Sequence, residues 1–577
     1  MNYLQDQHVV ILGLGISGLA MARWCARCGA QVTVADTRET PPQLAALREQ
    51  LPQARFRSGP LEVSLLEGAH HVFRSPGLSP TQVAPIVDAA RERGLGLGGE
   101  LDLFVQALAA LRAASEVASL MGQVVSEEAH VAEPPAGDLA EEAALASPEF
   151  TTGLDAKTEI DTDTDSSDLT PTDDAAAPAA LVVPAPVAVG YRPAVLAITG
   201  TNGKTTVTSL TGQLIARAGR SVAVAGNIGP SLLDTLTARL DADDLPDVWV
   251  LELSSFQLEA TEGFEPTAAT VLNLSQDHLD WHGSMDAYAA AKSRIFGTQG
   301  LMVLNRDDAH VMAMLPAPVR LKGGKIEQRA HLTFGGDMPQ RHGDFGIEVV
   351  GGMTWLVRAL EADETIKRRR DEVQELHFQR LMPADALRIR GRHNAVNALS
   401  ALALAVSAGC PLGPMLYGLR EYRGEPHRVE PVGIVGDIEY FDDSKGTNVG
   451  ATVAALQGLG AERGLVVILG GEGKGQDFAP LAASVARHAR AAVLIGRDAP
   501  QIRAVLAPLG VTMVDADSMQ AAVRLATDRA HAGDAVLMSP ACASFDMFES
   551  YEHRARVFRD AVRALADESG NPLEGLS

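Results

Sequence analysis

The stretch that most constrains what this chain can fold into is residues 195–208, VLAITGTNGKTTVT. An apolar, β-branched run feeds a glycine-rich bend, then Lys204-Thr205-Thr206, then a segment of helical character. That order builds a cradle for phosphate. Gly200 and Gly203 let backbone N–H groups face phosphate oxygens, Lys204 supplies a point charge, and the Thr205 hydroxyl suits Mg²⁺. Full Walker spacing asks for a further glycine where Ile198 stands, so the loop is a shortened variant.

The chain has 577 residues, too many for one core, and about three domains is the expectation. No apolar run approaches the roughly 20 residues of a membrane span. The N-terminus, MNYLQDQHVVILGLG, lacks a basic leader region and runs straight into a strand. Four scattered cysteines (Cys25, Cys28, Cys410, Cys542) fit a reducing, cytoplasmic setting. The pair Cys25/Cys28 sits in a helical pattern, LAMARWCARCGA, and reads as packing rather than a redox or zinc site. Net charge is −24, which argues against a nucleic-acid partner. Much of it is local: residues 113–190 hold sixteen Asp or Glu against one basic residue, Lys157. Taking that −15 from −24 leaves an ordinary −9 elsewhere.

The same segment is rich in Ala, Pro, Ser and Thr, with Phe150 its only aromatic. It cannot bury enough apolar surface to offset its ordering entropy, and reads as a disordered acidic insertion with a helical first part. Asp161, Asp163 and Asp165 mimic the start of a calcium loop, but Ser166 and Thr172 stand where glycine and glutamate are needed. On either side, short apolar strands alternate with helical patterns, the rhythm of parallel α/β sheets. Strands are expected at VVILGL, QVTVAD and HHVFRS, then at AVLAIT, SVAVAG, VWVLEL, AATVLNL and LMVLN, and finally at LVVILGG, AAVLIG, VTMVDA and AVLMSPA. Residues 325–391 are choppier and read as antiparallel or loop-rich. The expected division is 1–98, 99–424 (with 113–192 as the insertion) and 425–577.

In open parallel sheets ligands bind beyond the carboxyl ends of strands, and the unusual polar residues cluster there. Glu252, ending strand 248–253, is the expected second anchor for Mg²⁺ beside the phosphate loop. His278, in Asp277-His278-Leu279-Asp280, is a candidate ligand or substrate contact. Gly13-x-Gly15-x-x-Gly18 after VVIL, with Asp36 ending the next strand, matches a dinucleotide fingerprint; the same turn holds any diphosphate. Lys445 and Lys474, in DSKGTN and GGEGKG, suit an anionic carboxylate substrate. Together these favour an ATP-consuming reaction with two further substrates.

The ordered set GLGISG, DTR, SPG, TGTNGKTT, GNIG, ELSSFQL, DHLD, AAAKSRIF, GRHNAVNAL, PHRVE, DDSKGTNVGAT, GGEGKG and SPACASFD resembles the Mur ligases of peptidoglycan synthesis. Within that family it is most similar to the group that joins D-glutamate to UDP-N-acetylmuramoyl-L-alanine. The resemblance covers nearly all of the chain outside 113–190. It implies an α/β fold of three domains: an N-terminal Rossmann-like domain for the UDP-sugar, a central P-loop-type ATPase with a mainly parallel sheet, and a C-terminal Rossmann-like domain for the amino acid. It implies a cytoplasmic, monomeric enzyme without a membrane span, using ATP and two Mg²⁺ ions to make an amide through an acyl phosphate.

By motif, the resemblance places Asp36, Thr37, Arg38 and Gly77 at the uracil end, and Ser17 and Asn227 along the UDP-sugar. Gly200, Thr201, Asn202, Gly203, Lys204, Thr205 and Thr206 would cradle ATP, with Asn394, Arg428 and Asp443 completing its site. Thr205, Glu252, His278 and a carbamylated Lys292 would hold the metals, and Lys204, Glu252, His278 and Lys292 would serve catalysis. Lys445, Thr447, Lys474, Ser544 and Tyr551 would surround D-glutamate. Two departures stand out: the insertion, and Glu472 where aspartate is usual. Asn202 stands where the L-alanine-adding sibling usually has His, and the Asp-Asn-Pro signature of the diaminopimelate-adding type is missing. The alternatives are another Mur-type or folylpolyglutamate-type ligase, an NAD-dependent oxidoreductase, and an ATP-gated binding module.

Overall fold

The structure is a computed structural model that describes residues 2–130, 190–322, 326–362, 375–461 and 463–574. Residues Met1–Ala110 and Arg192–Ser577 form one compact unit and Leu111–Tyr191 a second. Most of the acidic insertion, with its Asp161–Asp165 run, lies outside the described residues. Its first part belongs to the helix Glu100–His130.

Three sheets organise the larger unit. The first contains β1 (His8–Leu12), β2 (Gln31–Asp36), β3 (Arg55–Ser58), β4 (His71–Arg74) and β5 (Gly96–Gly98), in the all-parallel order β3-β2-β1-β4-β5. Order reverses at β1, and the glycine turn sits there. A Cβ on Gly18 would lie 2.0 Å from the Gly13 carbonyl oxygen, which is why the helix Ile16–Arg27 can pack this close only with glycine.

The second sheet takes β6 (Ala194–Thr199), β7 (Val222–Gly226), β8 (Val248–Glu252), β9 (Ala268–Val271) and β10 (Leu301–Asn305). A detached antiparallel pair, β11 (Val319–Arg320) and β12 (Ile326–Glu327), follows. The sheet continues with β13 (His331–Phe334), β14 (Phe345–Val350), β15 (Met353–Glu361) and β16 (Leu376–Pro383), in the order β16-β15-β14-β13-β10-β9-β6-β8-β7. The run β14-β13-β10-β9-β6-β8-β7 pairs in parallel; β14-β15-β16 is an antiparallel meander, the choppy region of the sequence. β8 is buried along its whole length, as a strand covered on both faces must be.

The third sheet joins β17 (Glu430–Val435), β18 (Ile438–Asp442), β19 (Leu465–Gly470), β20 (Ala489–Ile495), β21 (Thr512–Asp515) and β22 (Ala535–Met538) in the order β17-β18-β22-β19-β20-β21. Only β17-β18 is antiparallel. This hairpin was not among the expected strands. Its run EPVGIVGDIEYFDD carries charges and glycines, and the two strands pair across a bulge between Pro431 and Gly433. The short β3 and β5 were missed for a simpler reason: RFRS and GLG have too few residues to show an alternation.

Polar clamps join the first two sheets. Glu100 accepts from the Leu233 amide at 3.2 Å, and Asp102 from the Gly99 and Glu262 amides at 2.7 and 2.8 Å. Arg23 and Arg27 reach Asp234 and Asp241 at 3.1 and 2.6 Å. These ion pairs are partly exposed and contribute little energy. More comes from packing: Phe104 meets the fully buried Trp249 of β8 edge to face, ring centroids 5.0 Å apart. Trp249→Ala is expected to destabilise the protein by about 3–5 kcal/mol, read as a lower urea midpoint in equilibrium unfolding.

Candidate active site

β6 ends at Thr199, and the chain then turns through Gly200 (φ +150°) and Gly203 (φ +82°) into the helix Lys204–Arg217. A Cβ on Gly200 would come within 3.0 Å of the Leu272 side chain. The loop is pinned from β9's exit: Thr201 N donates to Asn273 O at 3.0 Å and Asn202 N to Asn273 Oδ1 at 2.9 Å. Thr206 is buried at the first helical turn.

Two amines converge on one carbonyl. Lys204 Nζ donates to Gly200 O and Thr201 O, both at 2.9 Å, and Lys292 Nζ to Gly200 O at 2.9 Å and Thr199 Oγ1 at 3.1 Å. Lys292 is only 2 % exposed and stacks its ammonium 4.8 Å from the Tyr288 ring centroid. Burial, then the neighbouring Lys204, push its basicity well below that of an ordinary lysine. Burial lowers Lys204 too, against the attraction of Glu252. A lysine held this way is a better nucleophile toward CO₂ than an exposed one, the chemistry carbamylation requires.

Glu252, 1 % exposed at the end of β8, accepts from Asn227 Nδ2 at 2.9 Å through Oε1. Its Oε2 is buried with no partner among the described residues. An orphaned carboxylate oxygen beside a phosphate loop fits Mg²⁺, which takes one or two carboxylates with phosphate oxygens and water. His278 adopts a left-handed backbone (φ +54°) at the start of a short turn, its Nε2 3.7 Å from Asp277 Oδ2. Burial lowers its pKa, keeping the imidazole neutral and able to bind a metal. Thr205 Oγ1 instead accepts from Arg428 Nη2 at 2.6 Å.

Thr201, Asn202, Gly203, Lys204, Thr205, Asn227, Glu252, His278, Arg428, Lys445, Thr447, Lys474, Ser544 and Tyr551 all line one cleft of about 1180 Å³. Two spots tie its walls together: the Arg428–Thr205 bond, and Asn448 Nδ2 donating to Asn202 Oδ1 at 3.1 Å. On the far wall Lys445 stands 3.8 Å from the Tyr551 ring centroid. Lys474 has a left-handed backbone (φ +51°) and lies 5.8 Å from the Phe545 ring, which is 65 % exposed.

Other expected residues lie off this surface. Gly200 and Lys292 sit beneath it, bonded to each other. Asn394 is buried, donating to Arg390 O at 2.8 Å. Asp443 is buried and accepts from Ser539 Oγ at 2.6 Å; burial raises its pKa to about 7. Glu472 pairs with Arg497 at 3.1 Å and does not line the cleft.

The N-terminal candidates gather at the carboxyl ends of β1 and β2. Asp36 is occupied on both oxygens: Oδ1 accepts from Arg38 N and Nε, Oδ2 from Arg38 Nη2 and from Leu14 N at 2.7 Å. Burial works against the charge, but these donors outweigh it and hold the pKa at about 2. Both oxygens being engaged, Asp36 serves to orient Arg38, half-exposed and next to Thr37, rather than to receive a nicotinamide ribose. Ser17 lies on the glycine-turn helix, close enough to Glu100 to oppose the rise that burial imposes on that carboxyl's pKa. Gly77 lines a second cavity of about 760 Å³ with Asp280, Trp281 and His282. Asp280 borders both cavities. Asn227, by contrast, faces the central cleft.

Several site residues had no place in the sequence reading. Asn273, Tyr288 and Phe545 carry no charge and sit in or beside quoted motifs. Phe256, Trp281, His282 and Tyr288 form an aromatic cluster under His278, with Phe256 and His278 centroids 4.7 Å apart. The pair His427–Asp442 was also missed. Alternation along β18 points Asp442 inward, a signal the sequence did carry.

Comparison with known proteins identifies the domains of the chain. Residues 7–99 match the Mur ligase MurD-like N-terminal domain, 198–405 the Mur ligase middle domain, and 427–542 the Mur ligase glutamate ligase domain. A protein of Polaromonas sp. named UDP-N-acetylmuramoylalanine–D-glutamate ligase is 62% identical, covering 99% of this chain and 100% of its own. Proteins of the same name from Albidiferax ferrireducens and Ralstonia nicotianae are 59% and 50% identical, covering 100% and 98% of this chain and 100% and 99% of their own. With the phosphate loop, the orphaned carboxylate and the two-walled cleft in place, the chain belongs to the Mur ligase family.

Proposed function

We propose that this protein is an ATP-dependent ligase that adds D-glutamate to UDP-N-acetylmuramoyl-L-alanine, in the cytoplasm, as a step of peptidoglycan synthesis. The observation that carries the reading is the single cleft in which Lys204, Thr205 and Glu252 face Lys445, Thr447, Lys474, Ser544 and Tyr551. One wall suits a triphosphate, the other a small dicarboxylate. The names of relatives at 50–62% identity over nearly the full chain agree with it.

In the proposed reaction the L-alanyl carboxylate attacks the γ-phosphorus of ATP, ADP departs, and an acyl phosphate remains. Two anions must meet, so Lys204 and the loop amides offset repulsion and stabilise the transferring phosphoryl. Mg²⁺, held by Glu252, His278 and a carbamylated Lys292, would add charge neutralisation there. The amine of D-glutamate then attacks the acyl carbon and phosphate leaves. Arg38, oriented by Asp36, would hold the uracil end, and Asp280 lies where the cavity bordered by Gly77 meets the ATP cleft. Asn394 and Asp443, off the cleft surface, would act through the backbone they brace.

Phosphate release with ATP, Mg²⁺ and UDP-N-acetylmuramoyl-L-alanine tests the reading, with D-glutamate and L-glutamate compared. Release dependent on the D isomer is expected, and equal or no release with both would refute it. Lys204→Ala should lower turnover by at least about 10³-fold while leaving the circular dichroism spectrum unchanged. Lys474→Ala should raise KM for D-glutamate about 10–100-fold, the worth of one charge-assisted hydrogen bond, with KM for ATP unaffected; steady-state kinetics checks both.

A further inference from the structure

His427, Glu430 and Asp442 are the one cluster of such side chains among the described residues close enough to share a metal. A cation already fills the middle. Arg559 Nη2, from the helix Tyr551–Ser569, donates to Glu430 and lies 3.3 Å from Asp442 Oδ2. The cluster is instead an acid–imidazole pair. His427 Nδ1 is 2.7 Å from Asp442 Oδ2, and Asp442 is completely buried. Burial opposes the charge on Asp442, but bonds from His427 and Ser444 outweigh it, so its carboxyl stays ionised. An ionised carboxylate only accepts, so Nδ1 carries the hydrogen and Nε2 holds the free lone pair. The 3.4 Å approach of Arg559 to Nδ1 is then a contact between donors.

His427 Nε2 has no hydrogen-bond partner among the described residues, and the ring lines the large cleft with Lys445, Thr447 and Tyr551. Three features fix it there. Its backbone is left-handed (φ +63°), costly outside glycine. Its amide donates to Glu430 at 2.7 Å, and its carbonyl accepts from Lys445 N at 3.1 Å. The charged groups around the ring are Asp442, Glu430 and Arg559 at Nδ1, with Arg428 and Lys445 also lining the cleft and the Tyr551 ring 6.0 Å away.

We propose that His427, oriented by Asp442, is the general base that deprotonates the incoming amino acid. This rests on the ligase reading above. An amino acid arrives with its nitrogen as an ammonium, which has no lone pair. Nε2 takes one N–H proton, and the freed pair forms the C–N bond at the acyl carbon. The tetrahedral centre collapses by breaking the C–O bond to phosphate. The departing phosphate takes the second N–H proton, and the proton on Nε2 passes to water.

His427→Asn tests the assignment, because the asparagine amide keeps a donor toward Asp442 but supplies no base. Hydroxylamine, largely unprotonated at neutral pH, replaces D-glutamate in a parallel assay that needs no base. With D-glutamate, kcat is expected to fall about 10²–10⁴-fold and to climb with pH about tenfold per unit as hydroxide substitutes. ADP formation coupled to hydroxamate should remain within a few-fold of the unsubstituted enzyme. That second activity also reports that the variant is folded, and His427→Gln serves as a second variant. Parallel loss of both activities, or a higher KM for D-glutamate with kcat and pH profile unchanged, would overturn the proposal. An unsubstituted enzyme that forms no ADP with D-glutamate would instead refute the ligase reading.

Discussion

Two lysines share the Gly200 carbonyl while a buried carboxylate oxygen nearby has no partner among the described residues. The other features of the central cleft depend on that imbalance. Burying ammonium groups is costly unless they are neutralised; Asp277 and Glu252 attract both lysines, and Glu252 Oε2 has no partner among the described residues. The site is electrostatically incomplete as a protein alone. It is built for added anions at the amines and an added cation at the carboxylate. The left-handed glycines, the Asn273 clamp and the fully buried β8 hold these charges at fixed positions, so little reorganisation is needed when ligands arrive.

How legible was this in the sequence? The phosphate loop was plain because three independent constraints coincide there: a β-branched strand, glycines where the backbone turns left-handed, and a lysine opening a helix. The same holds for the turn Gly13-x-Gly15-x-x-Gly18, where the approach of Gly18 to the Gly13 carbonyl leaves no room for a side chain at Gly18. Glu252 stood out because a carboxylate interrupts an otherwise apolar run. The antiparallel β14–β16 meander was foreshadowed only as irregularity, since its exposed face dilutes the hydrophobic pattern.

What stayed hidden depends on contacts between distant segments. Nothing local in AAAKSRIF distinguishes Lys292 from a solvated helix lysine; its burial arises only because the helix Met285–Ser293 packs under the loop at Gly200. Asp442 drew no notice in the sequence; its burial and its bond to His427 arise only once β18 takes its place in the sheet. Asp36 shows a contact within one segment that the motif does not record. The fingerprint offers it as a free hydroxyl acceptor, yet Arg38, two residues on, folds back and saturates it. A motif records residue types at intervals and is silent on which of them satisfy one another.

Arg428 belongs to the segment leading into the third sheet, yet its guanidinium caps a threonine on the loop of the second. A neutral hydroxyl is a poor mate for that charge. Arg428 and Thr205 both line the cleft, so this charge stands beside the bend that carries Lys204. The seam between the two lobes is therefore fastened at the phosphate-binding bend itself, and replacing either Arg428 or Thr205 disturbs both lobes at once.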